Sequence, residues 1–159
     1  KNIENLEKIS HKFFSKKRAL ASIINFDADL YSSTLCALEN CKKAISYLCD
    51  PINKVSSHFV ISQTGSIYNL VNENKRAWHA GISSYEGREN CNDFSIGIEL
   101  EGCDHEIFTA EQYHALNQIL RTLADEYAIT RENIVGHSDI APGRKTDPGP
   151  FFMWDKIKL

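Results

Sequence analysis

The sequence predicts an α/β domain in which a mixed central β-sheet is flanked by helices. Strand-length apolar runs alternate with helical patterns along the chain, and no linker, repeat or low-complexity tract divides the 159 residues. At about 150 residues per domain, this length corresponds to one domain over residues 1–159. Within it, residues 1–18 are predicted to form an N-terminal helical extension.

The predicted elements follow the hydrophobic period along the chain. A compact apolar run over 19–26 predicts a buried strand, and helical spacing after residue 34 stops at Pro51. Thr109 and Gln112 form a capping box at the start of the clearest helix. This helix is predicted over 109–127. The other predicted elements are a hairpin (58–61 and 66–71), a long loop (72–94), an alternating strand (95–101), a short strand (133–135) and a Pro- and Gly-rich tail (136–150).

Composition and charge exclude several classes of partner. The net charge of −3 gives no basic field for nucleic acid or an anionic membrane, and no apolar run is long enough to cross a bilayer. Five cysteines, an odd number with no C-x-x-C pair, predict reduced thiols rather than a disulfide framework. Cys41 and Cys49 are predicted to be buried. Together with the absence of a signal sequence at residues 1–10, the reduced thiols favour the cytoplasm. The chain is expected to act as a monomer.

The tail contains a candidate metal pair. His137 directly follows a predicted strand, and Asp147 comes ten residues later. Imidazole and carboxylate are zinc ligands, and Pro and Gly residues restrict the path of the loop that would bring them together. The alternative is a surface histidine with a turn-capping aspartate. Lys145, taken alone, is predicted to be a solvated charge.

Glu99 lies on the polar face of the alternating strand, and Gly97 on the same face leaves space for another group to approach. A carboxylate there could orient or deprotonate a water molecule at a metal site. The alternative is a solvent-facing glutamate on a one-sided sheet. Glu101 shares this facing without a neighbouring gap.

The long loop contains Trp78-His79-Ala80-Gly81. The indole could stack on a sugar ring and His79 could donate to an amide carbonyl, whereas the alternative is a tryptophan that anchors the loop to the core. His58 is predicted to be a hydrogen-bonded core histidine. The predicted surface histidines are His105 and His114.

Three stretches resemble a known family when read in order: VSSHFVI (55–61), KRAWHAGISSYEGRENCNDFSIGIELEG (75–102) and GHSDIAPGRKTDPGP (136–150). Together they resemble the zinc-dependent N-acetylmuramoyl-L-alanine amidases, which share their fold with peptidoglycan-recognition proteins. The nearest branch is the cytoplasmic AmpD-like one, which recycles 1,6-anhydro-muropeptides.

This resemblance implies a zinc ion at the open edge of the sheet, with His137 and Asp147 as ligands. It also implies that Glu99 is the catalytic carboxylate and that Lys145 stabilises the developing oxyanion. The residues implied to bind the muropeptide are Trp78, His79, Ala80, Arg88, Asn92 and Asp93.

The first strand departs from the family pattern, which ends in a histidine zinc ligand. The match to SIINFD puts Asn25 at that position, with Ile24 as the alternative, and an amide oxygen is a poor zinc ligand. The expected function is hydrolysis of the amide bond between the muramoyl lactyl group and L-alanine. The alternative is a muropeptide-binding pseudoenzyme. A third possibility, a secreted lysin or recognition protein of the same fold, would require export and disulfides.

Overall fold

The computed structural model describes residues 20–25 and 40–159. The predicted extension over 1–18 lies outside the described residues, as does the beginning of the first predicted helix. The strands are β1 (Leu20–Asn25), β2 (Phe59–Ile61), β3 (Ile67–Asn69), β4 (Ser84–Tyr85), β5 (Arg88–Glu89), β6 (Ser95–Leu100) and β7 (Ile134–Gly136). The helices are α1 (Asn40–Cys49), α2 (Ala110–Tyr127) and α3 (His137–Ile140).

Among the described residues, the main sheet has five strands in the order β3-β2-β6-β1-β7. β2, β6, β1 and β7 run parallel, and β3 pairs with β2 as an antiparallel hairpin. The predicted mixed sheet with flanking helices is therefore confirmed. Because the four parallel strands share one direction, their carboxyl ends meet at one edge of the sheet.

Helix α2 packs with one face of the sheet in the largest apolar cluster of the described residues. Ile96, Ile98 and Leu100 alternate along β6, and all three are buried with the apolar stripe of the helix. Burial of each such side chain contributes about 1.5–3 kcal/mol. The helix begins as predicted, because the Thr109 hydroxyl accepts from the Gln112 backbone N–H at 3.1 Å and the Gln112 side chain accepts from the Thr109 N–H.

Smaller apolar clusters include one in which helix α1 contacts the sheet. Cys41 and Leu48 of the helix pack on Val60 of β2. Glu101, which is buried, accepts the backbone N–H groups of Cys41 at 3.1 Å and Gln63 at 2.8 Å, so its carboxylate holds the start of α1 beside the sheet. Cys49 is exposed, and the prediction that it is buried was wrong, because it lies at the last turn of α1.

Two segments predicted to be irregular contain short elements. The loop over 72–94 includes the β4–β5 hairpin, whose turn residues Glu86 and Gly87 both have positive φ, as a tight turn of this type requires. The tail begins with the single turn of α3, where the Asp139 carboxylate accepts the Gly136 backbone N–H at 2.7 Å. No helix in the described part of the chain is both long and apolar enough to cross a bilayer.

Candidate metal centre and active site

The side chains of His137 and Asp147 meet in the interior. His137 Nδ1 lies 3.1 Å from Asp147 Oδ2, and the two residues are 4% and 1% exposed. The alternative of a surface histidine with a turn-capping aspartate is wrong, since neither residue is at the surface. The tail therefore brings together the two residues that the sequence singled out as a metal pair.

The backbone on either side holds this pair in place. β7 ends at Gly136, and α3 starts at His137, so the histidine lies at the carboxyl edge of the sheet. The loop then returns, and the Asp147 carbonyl accepts the Ser138 backbone N–H at 2.9 Å. This hydrogen bond fixes Asp147 beside His137 independently of the two side chains.

The His137 ring has a second partner that bears on its tautomer. Its Nε2 lies 3.2 Å from the Ala80 carbonyl oxygen. Cation binding at Nδ1 uses the tautomer with the proton on Nε2, and the Ala80 carbonyl is placed to accept that proton in a hydrogen bond.

An imidazole nitrogen and a carboxylate oxygen at this distance fit two of the four ligand positions of a zinc ion. Two ligand atoms bound to one tetrahedral zinc are separated by roughly 3.4 Å, close to the Nδ1–Oδ2 distance. A backbone carbonyl holding the second ring nitrogen is the usual support for a metal-binding histidine. Cation binding at Nδ1 and Oδ2 therefore needs little rearrangement.

Arg144, which no sequence pattern singled out, connects the tail to the loop over 72–94 beside the His137–Asp147 pair. Its guanidinium donates to the Ala80 carbonyl at 2.6 Å and to the Ile82 carbonyl at 2.9 Å, and one of its nitrogens lies 3.3 Å from His137 Nε2. Gly81, between the two carbonyls, has φ +58° and allows this approach, since a Cβ there would meet the guanidinium at 3.2 Å. No local pattern predicts the contacts with the two carbonyls, because Arg144 is more than 60 residues away from Ala80 and Ile82 in the chain.

Glu99 is 5% exposed, so the alternative of a solvent-facing glutamate is wrong. Both faces of β6 are buried. In the sheet register, Glu99 lies opposite Ile24 of β1, while Asn25 lies opposite Leu100. Residues opposite one another in a parallel pair share a face of the sheet. Position 24 is thus on the face of Glu99, and position 25 is on the face covered by α2.

The gap at Gly97 is filled by the protein itself. A Cβ there would lie 2.4 Å from the His79 ring, so only glycine allows this packing. His79 Nε2 lies 2.9 Å from the Ser95 hydroxyl. His58 is fully buried, accepts the Gly97 backbone N–H at Nδ1 and bonds the Lys75 carbonyl through Nε2, which confirms the prediction of a core histidine.

The predicted muropeptide-binding residues divide into buried and exposed groups. The Asn92 side-chain oxygen accepts the backbone N–H groups of both His79 and Ala80, and all three residues are buried. Trp78 is 52% exposed, so the alternative that it anchors the loop in the core is wrong. The exposed residues of the predicted set are Trp78, Arg88 and Asp93.

An exposed cluster surrounds Trp78. The Arg76 guanidinium lies 3.8 Å from the centre of the indole and forms an ion pair with Asp93 at 2.9 Å. Elsewhere on this loop, Arg88 stacks on Phe94, which is buried, at 3.9 Å from the ring centre. Aromatic faces and charged groups thus lie side by side on one loop.

Lys145 is half-buried and lies two residues before Asp147. Its backbone N–H donates to the Ala141 carbonyl at 3.1 Å, which keeps it in the turn that follows α3. Among the predicted site residues, the structure thus brings His137, Asp147 and the Ala80 carbonyl into direct contact.

An α/β sheet with a buried histidine–carboxylate pair at the carboxyl edge of its parallel strands defines a domain with a candidate metal centre. The chain belongs to the N-acetylmuramoyl-L-alanine amidase family, whose sequence profile matches residues 24–150. That match includes the end of β1 and continues through Asp147. Members of this family are typically metal-dependent.

The curated relatives include the 1,6-anhydro-N-acetylmuramyl-L-alanine amidase AmpD of Escherichia coli (strain K12). It is 53% identical over 106 residues, which cover 67% of this chain and 58% of the relative. The chain therefore spans less than two thirds of the length of that relative.

Solved structures of related proteins have the same fold. A crystal structure of a selenomethionine derivative of AmpD matches with a TM-score of 0.73 and 38% identity, covering 89% of this chain and 83% of that one. A second match, with a TM-score of 0.76 and 32% identity, is the E. coli amidase AmiD in complex with anhydro-N-acetylmuramic acid-L-Ala-D-γ-Glu-L-Lys. It covers 93% of this chain and 58% of that one.

Proposed function

We propose that this protein hydrolyses the amide bond between the lactyl group of N-acetylmuramic acid, in its 1,6-anhydro form, and the L-alanine of a muropeptide. The observation that carries this proposal is the buried contact of His137 with Asp147 within the region matched by the family. The names of the relatives support the substrate, since AmpD is an anhydro-muramyl amidase and AmiD was solved with an anhydro-muropeptide.

His137 Nδ1 and Asp147 Oδ2 would hold a zinc ion. Bound there, zinc would polarise the scissile carbonyl and lower the pKa of water in the site. The Ala80 carbonyl would keep the His137 ring in the required tautomer, with Arg144 fixing that carbonyl.

The remaining roles fall to residues of β6 and the tail. We assign Glu99 as the general base that accepts the proton of the attacking water and returns it to the nitrogen of the leaving L-alanine. Lys145 would stabilise the negative charge that develops on the substrate carbonyl oxygen. Trp78, Arg88 and Asp93 would contact the sugar and peptide, with His79, Ala80 and Asn92 holding their loop in place.

The first strand supports a second candidate, a muropeptide-binding protein without hydrolysis. Neither Ile24 nor Asn25 offers an imidazole, and the register favours position 24 as the one on the face of Glu99. A site with two protein ligands would hold zinc less tightly than one with three. Such a protein would bind the glycopeptide but turn it over slowly or not at all.

Hydrolysis of anhydro-N-acetylmuramyl-tripeptide, with and without added zinc, tests the first candidate. We expect release of the free peptide by the zinc-loaded protein, loss of release with a chelator, and loss in Glu99→Gln. Glu111→Gln, an exposed change in the first turn of α2, serves as the matched control. Binding of the tripeptide substrate without release of peptide would support the second candidate.

We also propose that the protein acts as a monomer in the cytoplasm. Cys41, Cys49 and Cys91 are free thiols, which is consistent with a reducing compartment. Localisation of the tagged full-length protein and its mass in solution test these two statements.

A further inference from the structure

A second group of metal-binding side chains lies in the segment between β6 and α2. One ligand atom from each of Cys103, His105 and Glu106 lies within 4.8 Å of the other two. It is the one group of three such donors found among residues 20–25 and 40–159. None of its members belongs to the His137–Asp147 site.

The local backbone brings these side chains together. The Glu106 backbone N–H donates to the Cys103 carbonyl at 3.0 Å, which closes a turn with His105 inside it. Cys103 and Glu106 are half-buried and His105 is exposed. Solvent can therefore reach the group, and a fourth coordination position would be open to water.

The kinds of donor indicate which ion would fit. Thiolate, imidazole and carboxylate together suit zinc and related first-row ions, whereas magnesium and calcium take oxygen ligands. Ligand atoms on one tetrahedral ion are separated by roughly 3.3–3.6 Å, so separations of at most 4.8 Å need a movement of no more than about 1 Å. Exposed His105 and half-buried Glu106 can make such a movement by rotating their side chains.

We propose that Cys103, His105 and Glu106 form a second site, which binds Zn²⁺ or a similar divalent ion of the first transition row. Binding replaces the proton of the Cys103 thiol, which is released to solvent. This site does not depend on the function proposed above, because it shares no residue with the metal pair.

The turn that holds this site contacts the loop that carries Asp147. The Thr146 hydroxyl donates to the Asp104 carboxylate. A Cβ at Gly149 would collide with the Asp104 backbone. An ion on Cys103, His105 and Glu106 would order the turn against the 146–149 segment, and we therefore expect metal binding to raise the Tm of the protein.

Titration of the metal-free, reduced protein with Co²⁺ tests the proposal, because a cobalt–thiolate bond gives a charge-transfer absorption that a His–Asp site cannot give. We expect this absorption to saturate at one thiolate-bound ion per chain. It should disappear in Cys103→Ser, and His105→Ala and Glu106→Gln should each weaken cobalt binding about tenfold or more.

Two control variants distinguish cobalt bound to Cys103 from cobalt bound to another thiol or at the His137–Asp147 pair. Cys49→Ser removes an exposed thiol elsewhere and should leave the absorption unchanged, and so should Asp147→Asn, which removes a ligand of the other site. The proposal is overturned if the wild-type protein shows no thiolate absorption. It is also overturned if the absorption persists unchanged in both His105→Ala and Glu106→Gln, or is lost in Cys49→Ser.

Discussion

His137 and Asp147 are ten residues apart in the chain, yet their side chains touch, with Nδ1 3.1 Å from Oδ2, and neither is more than 4% exposed. Burial of a carboxylate is costly unless a partner compensates for it. The fold supplies that partner as an imidazole whose other nitrogen is held by a backbone carbonyl. A cation bound between Nδ1 and Oδ2 would also compensate for the buried carboxylate.

Removal of either member of this pair should abolish tight zinc binding. We expect His137→Ala and Asp147→Asn each to lower zinc affinity by about 100-fold or more, since even indirect partners of metal ligands contribute 10–100-fold. Equilibrium dialysis with metal analysis measures this directly. Asp155→Asn, which changes an exposed aspartate eight residues after Asp147, should bind zinc like the wild type. Unchanged affinity in both site variants would place the zinc elsewhere.

The two positions at the end of β1 should respond differently to a new histidine. Position 24 is opposite Glu99 and adjacent to the strand that leads to His137, so Ile24→His should raise zinc affinity about tenfold or more. Asn25→His lies on the other face of the sheet and should leave zinc affinity unchanged. Zinc dialysis and peptide release are measured on both. A gain in Asn25→His alone would mean that position 25 is the ligand position.

Arg144 should act on the metal centre through the Ala80 carbonyl. In Arg144→Ala, the carbonyl and the His137 ring lose their common support, and we expect zinc affinity to fall about 10–100-fold. Arg144→Lys should recover only part of this loss, because a single ammonium group cannot reproduce the planar fork that reaches two carbonyls. Arg121→Ala, on the exposed side of α2, is the matched control. A purely structural role would lower the Tm of Arg144→Ala without changing zinc affinity.

Glu101 and Glu99 are both buried, but their replacement should have different effects. A change at Glu101 should lower the stability of the fold, whereas a change at Glu99 should abolish hydrolysis. Each carboxylate oxygen of Glu101 accepts a backbone N–H, so Glu101→Gln places an amide donor against one of them and should cost about 1–3 kcal/mol of unfolding free energy. Urea denaturation measures the change, with the exposed Glu111→Gln as control. A Glu101→Gln protein as stable as the wild type would show that these hydrogen bonds contribute little.

Cys41 and Cys49 should differ in reactivity as pH rises. Burial, and then the nearby Glu101 charge, raises the pKa of the Cys41 thiol from 9.0 to about 11. The thiolate is the reactive form, so alkylation of Cys41 at pH 8 should be much slower than that of the exposed Cys49. Mass spectrometry of the alkylated peptides follows both sites. Equal labelling of the two in the folded protein would contradict this assignment.

The sign of the pH effect on stability follows from the direction of that shift. The folded state favours the protonated thiol, so this contribution is complete below the pKa of the unfolded thiol. It is lost as the pH rises from about 9 towards about 11. In Glu101→Gln, Cys41 should become reactive at a lower pH than in the wild type, because the repelling charge is gone.

The sequence alone determined the elements whose patterns are local. The alternation of Ile96, Ile98 and Leu100 predicted β6, and the capping box of Thr109 with Gln112 predicted the start of α2. These features depend on neighbours two to four residues apart, which a single segment contains. The order of the matched motifs likewise indicated the family without any coordinates.

Only the tertiary structure decided how distant groups meet. The Ala80 carbonyl, the Arg144 guanidinium and the His137 ring come from segments up to 64 residues apart, and their contacts arise from the packing of one loop on another. The burial of Glu99 also depends on other segments that pack on β6. Strand register decides which face of the sheet position 24 occupies. The sequence determines which side chains are present. The distances between them and their exposure to solvent depend on packing between segments that are far apart in the chain.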